Sequence, residues 1–383
     1  MCEKLYENDA YLAEFTATVL DVRTEDGGLW AALDRTAFFP EGGGQAGDCG
    51  YLGEARVSNT QEKDGVIYHK IDRPLSVGAT ICGRVDFAVR FDRMQNHSGE
   101  HIVSGLVHRR YGYDNVGFHL GDGEMTLDFN GVLTREQLDE IEDEANAAVF
   151  ANLPITVSYP EGEALAAIDY RAKLALTEGV RLVTIEGVDV CACCAPHVRR
   201  TGEIGLIKLL DFIHYKGGVR IRMACGRRAL ADYREKAREV AGISRLLSVP
   251  QGECATAVER LLGELATRKA AYATLMQELT ALRVAALTEN ASGNLLYFAT
   301  EEDAIALRHA ALLGAERAPR GLSVALYGND ESGYRVMIAS RALPLLDLLP
   351  ALRERLSFRG GGSRELLQGQ TGASRAAIES YFA

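Results

Sequence analysis

The chain has 383 residues, 47% of them apolar, which is enough for two or three packed domains and too apolar for a disordered chain. A net charge of −11 argues against nucleic-acid binding over the whole surface, although basic residues are grouped at 108–110, 199–200 and 216–228. The N-terminus has no basic start followed by an apolar run, and no stretch reaches the roughly 18 apolar residues of a membrane helix. We therefore expect a cytoplasmic protein without membrane contact.

Short β-branched and aromatic runs between turns predict strands in the first 90 residues, and helical periodicity follows them. The predicted elements up to residue 235 are, in chain order, strands at Leu12 to Val22, Leu29 to Leu33 and Gly65 to Ile71, a helix at 92–111, a hairpin at 116–130 with its turn at 121–123, a helix at 134–151, and mixed strand and helix at 155–235.

Beyond residue 255, apolar residues recur at alternating three- and four-residue steps from Val258 to Leu282, interrupted by Arg268. This pattern predicts a long helix, either a coiled coil or an amphipathic helix inside one domain. An alternation of strands and helices then predicts a small α/β domain. Its predicted elements are strands at Leu295 to Thr300, Leu322 to Tyr327 and Tyr334 to Ser340, helices at 302–313 and 344–356, and a final helix from Ser374.

Four side chains have the spacing of metal ligands. His97 and His101 are four residues apart in a predicted helix, so their imidazoles share one face. Cys193 and His197 repeat that spacing. Three imidazoles and one thiolate suit tetrahedral zinc, so Zn²⁺ is the expected cofactor.

The choice of cysteine stays open at this point. The chain has eight cysteines, and a cluster at Cys191, Cys193 and Cys194 indicates metal binding rather than a disulfide framework in a long reduced chain. All three lie within reach of one loop. We favour Cys193 because it alone is four residues from His197.

Residues 97–101 also spell H-x-x-E-H, the signature of a class of zinc metallopeptidases in which Glu100 would be the general base. That motif is short, and it leaves Cys193, His197 and three consecutive glycines unexplained, so we rank this function second. A non-catalytic RNA-binding module with a structural zinc is a further alternative.

The motifs occur in an order that resembles the editing domains of alanyl-tRNA synthetases and the free-standing alanyl-tRNA editing proteins called AlaX. The matching stretches are Phe38 to Gln45 with Asp48 and Gly50 for the glycine-rich motif, His97 to His101 for H-x-x-x-H, Cys193 to Val198 with Thr201 to Gly205 for C-x-x-x-H-V…T-G-E-I-G, Val116 to Gly121 with Thr126 to Phe129 for the strand pair beside the metal, and Arg359 to Gln370 for the glycine-rich end of the synthetase's C-terminal domain. Cys194, Ala195 and Pro196 replace the usual glycines and threonine. The resemblance covers nearly the whole chain and is to the long form of AlaX.

This resemblance implies a trans-editing hydrolase that deacylates mischarged tRNA-Ala, carrying serine and also glycine, by hydrolysing the aminoacyl ester. Mischarged tRNA-Ala is then the partner, with a homodimer or binding of the tRNA body through the C-terminal region. From the length we expect neither an aminoacylation domain nor an ATP site. Whether zinc activates water or only shapes the pocket stays open. The candidate residues are Glu100, His119 and Gln45 for catalysis, and Thr36, Gly42, Gly43, Gly44 and Ser98 for substrate contact.

The predicted fold class is α+β, with four parts. They are a β-barrel-like domain with the glycine motif at 1–90, an α/β zinc editing domain at 91–240, a helical linker at 241–291 that is a candidate coiled coil, and a C-terminal α/β domain at 292–383 for dimerisation or tRNA binding.

Overall fold

Helices and sheets are mixed along the whole chain, which confirms the predicted α+β class. The computed structural model describes residues 2–25, 27–121, 123, 125–172, 179–300 and 303–383. The chain divides into two units, residues 1–242 and 243–383, and the finer division into four domains stays a prediction. Asp122, in the predicted hairpin turn, and Glu302, the first residue of a predicted helix, lie outside the described residues. Within those residues, no helix combines the length and apolar character needed to cross a membrane.

The first unit begins with a six-stranded barrel. The elements of this unit up to residue 111 are β1 (Glu3–Lys4), α1 (Leu5–Asn8), β2 (Glu14–Glu25), β3 (Gly28–Leu33), β4 (Arg35–Thr36), β5 (Gly50–Leu52), β6 (Ala55–Lys63), β7 (Val66–Ile71), β8 (Thr80–Val85) and helix α2 (Phe87–Tyr111). Strands β2, β3, β7, β6, β5 and β8 pair in this order, and β8 pairs back with β2. Because side chains alternate along each strand, one face of every strand fills the barrel interior with residues such as Val19, Leu33 and Val57.

A buried histidine inside the barrel fixes the start of the glycine-rich segment Phe38 to Gln45, which we call the glycine loop. His69 donates through Nδ1 to the Ala31 carbonyl oxygen at 3.0 Å and accepts at Nε2 from the Thr36 hydroxyl at 2.9 Å. Burial lowers the pKa of His69 to about 4, so the imidazole is neutral near pH 7. The Thr36 oxygen in turn accepts from the Phe38 backbone N–H at 3.1 Å, which orients the chain as it enters the loop.

A buried ion pair holds the same loop against helix α2. The Nε of Arg90 donates to Asp48 at 2.8 Å, and its other nitrogens donate to the Ala37 and Ala10 carbonyls. Asp48 also accepts from the Phe39 backbone N–H at 2.6 Å. A buried charge is tolerated when it is paired and hydrogen-bonded, and these contacts fix both ends of the segment 39–48.

Two further sheets and further helices follow, and the last of these helices extends past residue 242 into the second unit. The elements after α2 are β9 (Asn115–Leu120), β10 (Met125–Phe129), α3 (Arg135–Phe150), β11 (Ile155–Ser158), α4 (Gly162–Ala166), β12 (Leu182–Ile185), β13 (Asp189–Ala192), β14 (Ile207–Tyr215), β15 (Gly218–Cys225) and α5 (Gly226–Leu247). The sheet orders are β14-β15-β10-β9 and β11-β12-β13. Helix α2 begins after Asp86, whose carboxylate accepts from the Val89 N–H, and ends at the left-handed Gly112. Its apolar residues pack with α3 and the four-stranded sheet in one core.

The second unit contains α6 (Cys254–Ala285), β16 (Leu295–Ala299), α7 (Ala304–Arg317), β17 (Ser323–Asn329), β18 (Gly333–Ala339), α8 (Leu349–Leu356), β19 (Arg359–Gly362), β20 (Leu366–Thr371) and α9 (Arg375–Phe382). The sheet order is β16-β17-β18-β20-β19. Helix α6 is the predicted long helix. It buries Met276, Thr280 and Val284, whereas the heptad residues Leu265, Leu275 and Leu282 stay exposed.

Candidate metal centre

Three histidines and one cysteine converge in the first unit. The ligand atoms of His97, His101, Cys193 and His197 all lie within 4.8 Å of one another. The Cys193 Sγ is 3.6 Å from His97 Nε2 and 3.3 Å from His197 Nε2. Helix α2 supplies the first two side chains, and the segment after β13 supplies the other two. The structure thus brings together all four residues that the spacing selected.

In each of the three imidazoles, the ring nitrogen Nδ1 has a hydrogen-bond partner. His97 Nδ1 lies 2.8 Å from Gln45 Oε1, and His197 Nδ1 lies 3.0 Å from the Ser98 hydroxyl. With Nδ1–H donating to an oxygen, each ring is fixed in the tautomer that leaves the Nε2 lone pair free. These nitrogens then face one another and a thiol, a packing that a shared cation explains.

His101 is oriented by a carboxylate that sequence analysis missed. Its Nδ1 lies 3.0 Å from Asp189 Oδ2, and Arg171 holds both oxygens of Asp189 at 2.7 and 2.9 Å. Gly105 permits this close approach, because a Cβ there would lie 2.7 Å from the Cβ of Asp189. The signal available in the sequence was that each ligating imidazole needs an acceptor and that Asp189 precedes the cysteine cluster.

The glycine loop places Gln45 against His97. Gly42 and Gln45 exchange two backbone hydrogen bonds of 3.0 Å, which closes a tight turn. Gly44 has φ +85°, its carbonyl accepts from the Leu120 N–H at 2.8 Å, and a Cβ on it would lie 2.5 Å from the Phe118 carbonyl oxygen. Glycine is therefore required there both for the backbone angle and for the contact with β9.

Replacing Gly44 with alanine should displace this loop, and Gly43 offers a matched control. Both have positive φ, but a Cβ on Gly43 would meet nothing within 4 Å. We expect Gly44→Ala to lower the free energy of unfolding by about 1–3 kcal/mol more than Gly43→Ala does, because it adds a clash to the backbone strain. Denaturant unfolding measures the difference, and zinc content reports whether Gln45 still orients His97. Equal losses from the two variants would show that the loop does not depend on its contact with β9.

Cys193, and not its neighbours, carries the features of a ligand thiolate. Burial alone would raise the pKa of Cys193, but the adjacent His97 and His197 outweigh it and hold the pKa well below its usual range. The pKa values of Cys191 and Cys194 are raised by burial. Cys191 forms a different group, with His101 and Asp189 within 4.8 Å, and Asp189 is already held by Arg171.

Glu100 is a buried carboxylate at the edge of this cluster. Its Oε1 accepts from Ser104 and from Asn115, both at 2.6 Å, and its Oε2 lies 3.8 Å from His101 Nε2. Burial favours the neutral acid, but nearby His101 and Arg171 hold the pKa of Glu100 below its usual value. A fixed, ionised carboxylate beside a candidate metal position has the properties of a proton acceptor.

Two predicted site residues have surroundings that differ from those expected for their roles. His119 is exposed and on the opposite face of β9 from Phe118, whose ring packs against His97 with centroids 4.8 Å apart. Neighbouring residues on a strand point to opposite faces, so His119 points away from this centre, and its catalytic role stays a prediction. Ser98 is fully buried, and its hydroxyl accepts from His197 Nδ1 and from the Val198 N–H, so it positions a ligand instead of contacting substrate.

The other predicted contacts stay open. The Thr36 hydroxyl is hydrogen-bonded to His69 inside the barrel, and this hydrogen bond would have to break before the hydroxyl could bind a substrate. Gly43 and Gly44 are exposed at the crest of the loop, and Gly42 is half-buried. Their substrate contact stays a prediction.

The donor set suits zinc. Zinc is usually four-coordinate and accepts both imidazole nitrogen and thiolate ligands, and the buried, hydrogen-bonded second nitrogens fix the orientation of the rings. Burial lowers the pKa of His197 to about 3, which keeps its lone pair available.

Comparison with known proteins relates the chain to tRNA synthetases and to alanyl-tRNA editing proteins. Residues 12–89 match the family model described as tRNA synthetases class II (A), and residues 180–227 match the model of the threonyl and alanyl tRNA synthetase second additional domain. The alanyl-tRNA editing protein AlaX-L of Pyrococcus horikoshii is 34% identical over 63% of this chain. The chain is a relative of the alanyl-tRNA editing proteins called AlaX.

The relationship extends to alanine–tRNA ligases. The ligase of Pyrobaculum neutrophilum is 32% identical over 96% of this chain, and that of Pyrococcus furiosus is 34% identical over 73%. The chain spans 62% of the AlaX-L protein and 42% and 32% of the two ligases. The first family model covers the barrel with its glycine loop, and the second covers Cys193 and His197.

This chain departs from the AlaX motif between Cys193 and His197, and Arg181 stabilises the altered loop. Its Nη1 donates to the carbonyl oxygens of Cys193 at 2.7 Å and Ala195 at 3.1 Å, and its own carbonyl accepts from the Cys193 N–H at 3.0 Å. The loop therefore has firm backbone contacts without the usual glycines.

Proposed function

We propose that this protein is a zinc-dependent aminoacyl-ester hydrolase that deacylates mischarged tRNA-Ala. The observation that carries the proposal is the cluster of three Nε2 atoms and one Sγ, with Gln45, Ser98 and Asp189 on the opposite nitrogens, in a chain related to alanyl-tRNA editing proteins. His97, His101, Cys193 and His197 would hold the metal. With all four ligands in place, zinc would shape and orient the pocket; with one ligand displaced, it would supply a Lewis acid for an oxygen of water or of the ester.

The chain's own groups account for the remaining chemistry. The Glu100 carboxylate would accept the proton from the attacking water through Oε2, while Ser104 and Asn115 hold its other oxygen. Gln45 would orient His97 and also face the substrate. Among the described residues its buried Nε2 has no hydrogen-bond partner, so it can donate to the ester carbonyl or to a serine hydroxyl.

The two alternative functions, a zinc metallopeptidase and a non-catalytic RNA-binding module, predict different results. A metallopeptidase would use Glu100 as base and take a third ligand from a downstream glutamate, whereas the cluster is completed by Cys193 and His197. An RNA-binding module with structural zinc would bind tRNA without turnover. Incubation with serylated tRNA-Ala and with an unstructured protein substrate separates all three.

Substrate choice gives a quantitative test. We expect the serine ester on tRNA-Ala to be hydrolysed up to about 10⁴-fold faster than the alanine ester, because a buried donor that pairs with the serine hydroxyl is left unpaired by alanine. The glycine ester should react at an intermediate rate. Single-turnover rates on the three esters measure this, and equal rates for serine and alanine would make the protein a general deacylase rather than an editing enzyme.

The second unit is proposed to bind the tRNA body or a second copy of the chain. Its basis is the exposed heptad face of helix α6, which includes Leu265, Leu275 and Leu282. The molecular mass of the intact protein in solution, measured with and without tRNA, distinguishes dimerisation from tRNA binding. A cytoplasmic location would follow from a role in translation.

A further inference from the structure

A polar cleft lies beside the glycine loop whose Gln45 contacts the candidate metal centre. It has a volume of about 410 Å³, and Ala46 and Gly47 form part of its wall. The residue before them, Gln45, hydrogen-bonds His97 at 2.8 Å. The wall of the cleft and a contact to a candidate metal ligand thus belong to consecutive residues of one loop. Gly43 and Gly44 of the same loop are exposed and have no side chains to obstruct a ligand.

The walls of the cleft combine an aromatic face with positive charge. Trp30 on β3 and Lys70 on β7 are paired in register, and the Lys70 Nζ lies 5.8 Å from the indole centroid. The Trp30 Nε1–H donates to the Glu25 carbonyl oxygen at 3.3 Å, which fixes the edge of the half-buried indole, and Lys70 lies over its ring.

A second cation lines the inner end of the cleft. Arg93 on helix α2 is only 5% exposed, and its Nη1 donates to the Gly47 carbonyl oxygen at 2.8 Å. Gly47 itself cannot be replaced, since a Cβ would lie 2.0 Å from the Thr60 carbonyl oxygen. The guanidinium is therefore anchored to the same loop that backs the metal centre, and its position is coupled to that of Gln45.

We propose that this cleft binds a nucleotide of the single-stranded acceptor end of tRNA, next to the aminoacylated terminal nucleotide. The inference rests on the proposed function and adds a substrate subsite to it. Stacking on an aromatic ring together with cations for the phosphate is the general means of holding single-stranded nucleic acid. The Glu41 carboxylate, at 3.4 Å from the Gln61 amide, provides an acceptor for a ribose hydroxyl or a base amino group.

The experiment uses the intact zinc-loaded chain and an uncharged single-stranded RNA that ends in cytidine, cytidine and adenosine. Trp30 is the only tryptophan of the protein, so quenching of its fluorescence locates the RNA in the cleft. Polarisation of the labelled RNA gives the affinity of every variant. We expect saturable quenching, and binding about 5- to 150-fold weaker in Trp30→Ala, because stacking of one base is lost. Trp30→Phe keeps a stacking ring and should retain most of the affinity, which separates stacking from a folding defect.

The charge is tested with a matched pair of lysines. Lys70→Gln should lower the slope of log affinity against log salt by about 0.7, the value for one phosphate contact on a single strand. Lys236→Gln, on helix α5 outside the cleft, should leave that slope unchanged. On serylated tRNA-Ala, Trp30→Ala should raise KM and leave kcat nearly unchanged.

The possible outcomes separate the subsite from the proposed function. If the RNA binds without quenching Trp30 and Lys70→Gln matches Lys236→Gln, the subsite is wrong whatever the enzyme hydrolyses. If esters are hydrolysed but neither Trp30 variant changes KM, the function stands and the subsite fails. If Trp30 is quenched with the expected salt slope but no ester is hydrolysed, the cleft binds RNA and the hydrolase proposal fails.

Discussion

Replacing Cys193 with alanine should remove zinc from the protein and abolish ester hydrolysis. The purified wild-type chain should contain about one zinc per molecule. Loss of even an outer partner typically weakens a metal site 10- to 100-fold, so loss of the thiolate should lower zinc affinity by more than about 100-fold. Elemental analysis and competition with a chelator measure zinc, and single-turnover deacylation of serylated tRNA-Ala measures activity.

Cys191→Ala and Cys194→Ala are matched controls for this variant. Both cysteines are within two residues of Cys193, yet neither belongs to the cluster of three histidines and one thiol. Each control should keep its zinc and most of its activity. If Cys191→Ala lost the metal while Cys193→Ala retained it, our assignment of the thiolate would be wrong.

Replacing Glu100 with glutamine should lower the rate of hydrolysis about 10²- to 10⁴-fold while zinc content and fold stay unchanged. Glutamine preserves the size of the side chain, and its carbonyl oxygen can still accept from Ser104 and Asn115, which contact the present carboxylate at 2.6 Å. It cannot accept a proton from water at neutral pH. Single-turnover rates at saturating enzyme, with circular dichroism and zinc content, separate a chemical defect from a structural one.

Two further variants sharpen this prediction. Asn115→Ala removes one donor and leaves the carboxylate in place, so we expect a smaller loss of rate than in Glu100→Gln. Glu140→Gln changes an exposed carboxylate that pairs with Arg110 on the surface and should have no effect on turnover. A Glu100→Gln enzyme with wild-type rates would show that another group accepts the proton.

The sequence alone selected the four residues that form the candidate metal centre and predicted most of the regular elements. A four-residue spacing on one helix fixes the relation between His97 and His101 locally, because the backbone hydrogen bonds of a helix determine it. The helices at 92–111 and 134–151 were predicted within a few residues of their observed ends, Phe87–Tyr111 and Arg135–Phe150. The glycine at position 44 also indicated a positive φ, a backbone conformation that other residues rarely adopt.

Tertiary structure decided which side chains support the ligands. Asp189 and Arg171 reach His101 only because β13 packs closely against helix α2 at Gly105, and no local pattern encodes that approach. Phe118 rather than His119 faces the centre, because the register of β9 with β10 sets which face of the strand is buried. Ser98 and Thr36 have hydroxyls suited to contact a substrate, but in the folded protein each hydroxyl is hydrogen-bonded to a histidine from a distant segment. Residues that act through local geometry can thus be read from the sequence, whereas contacts between distant segments depend on the free energy of packing the whole unit.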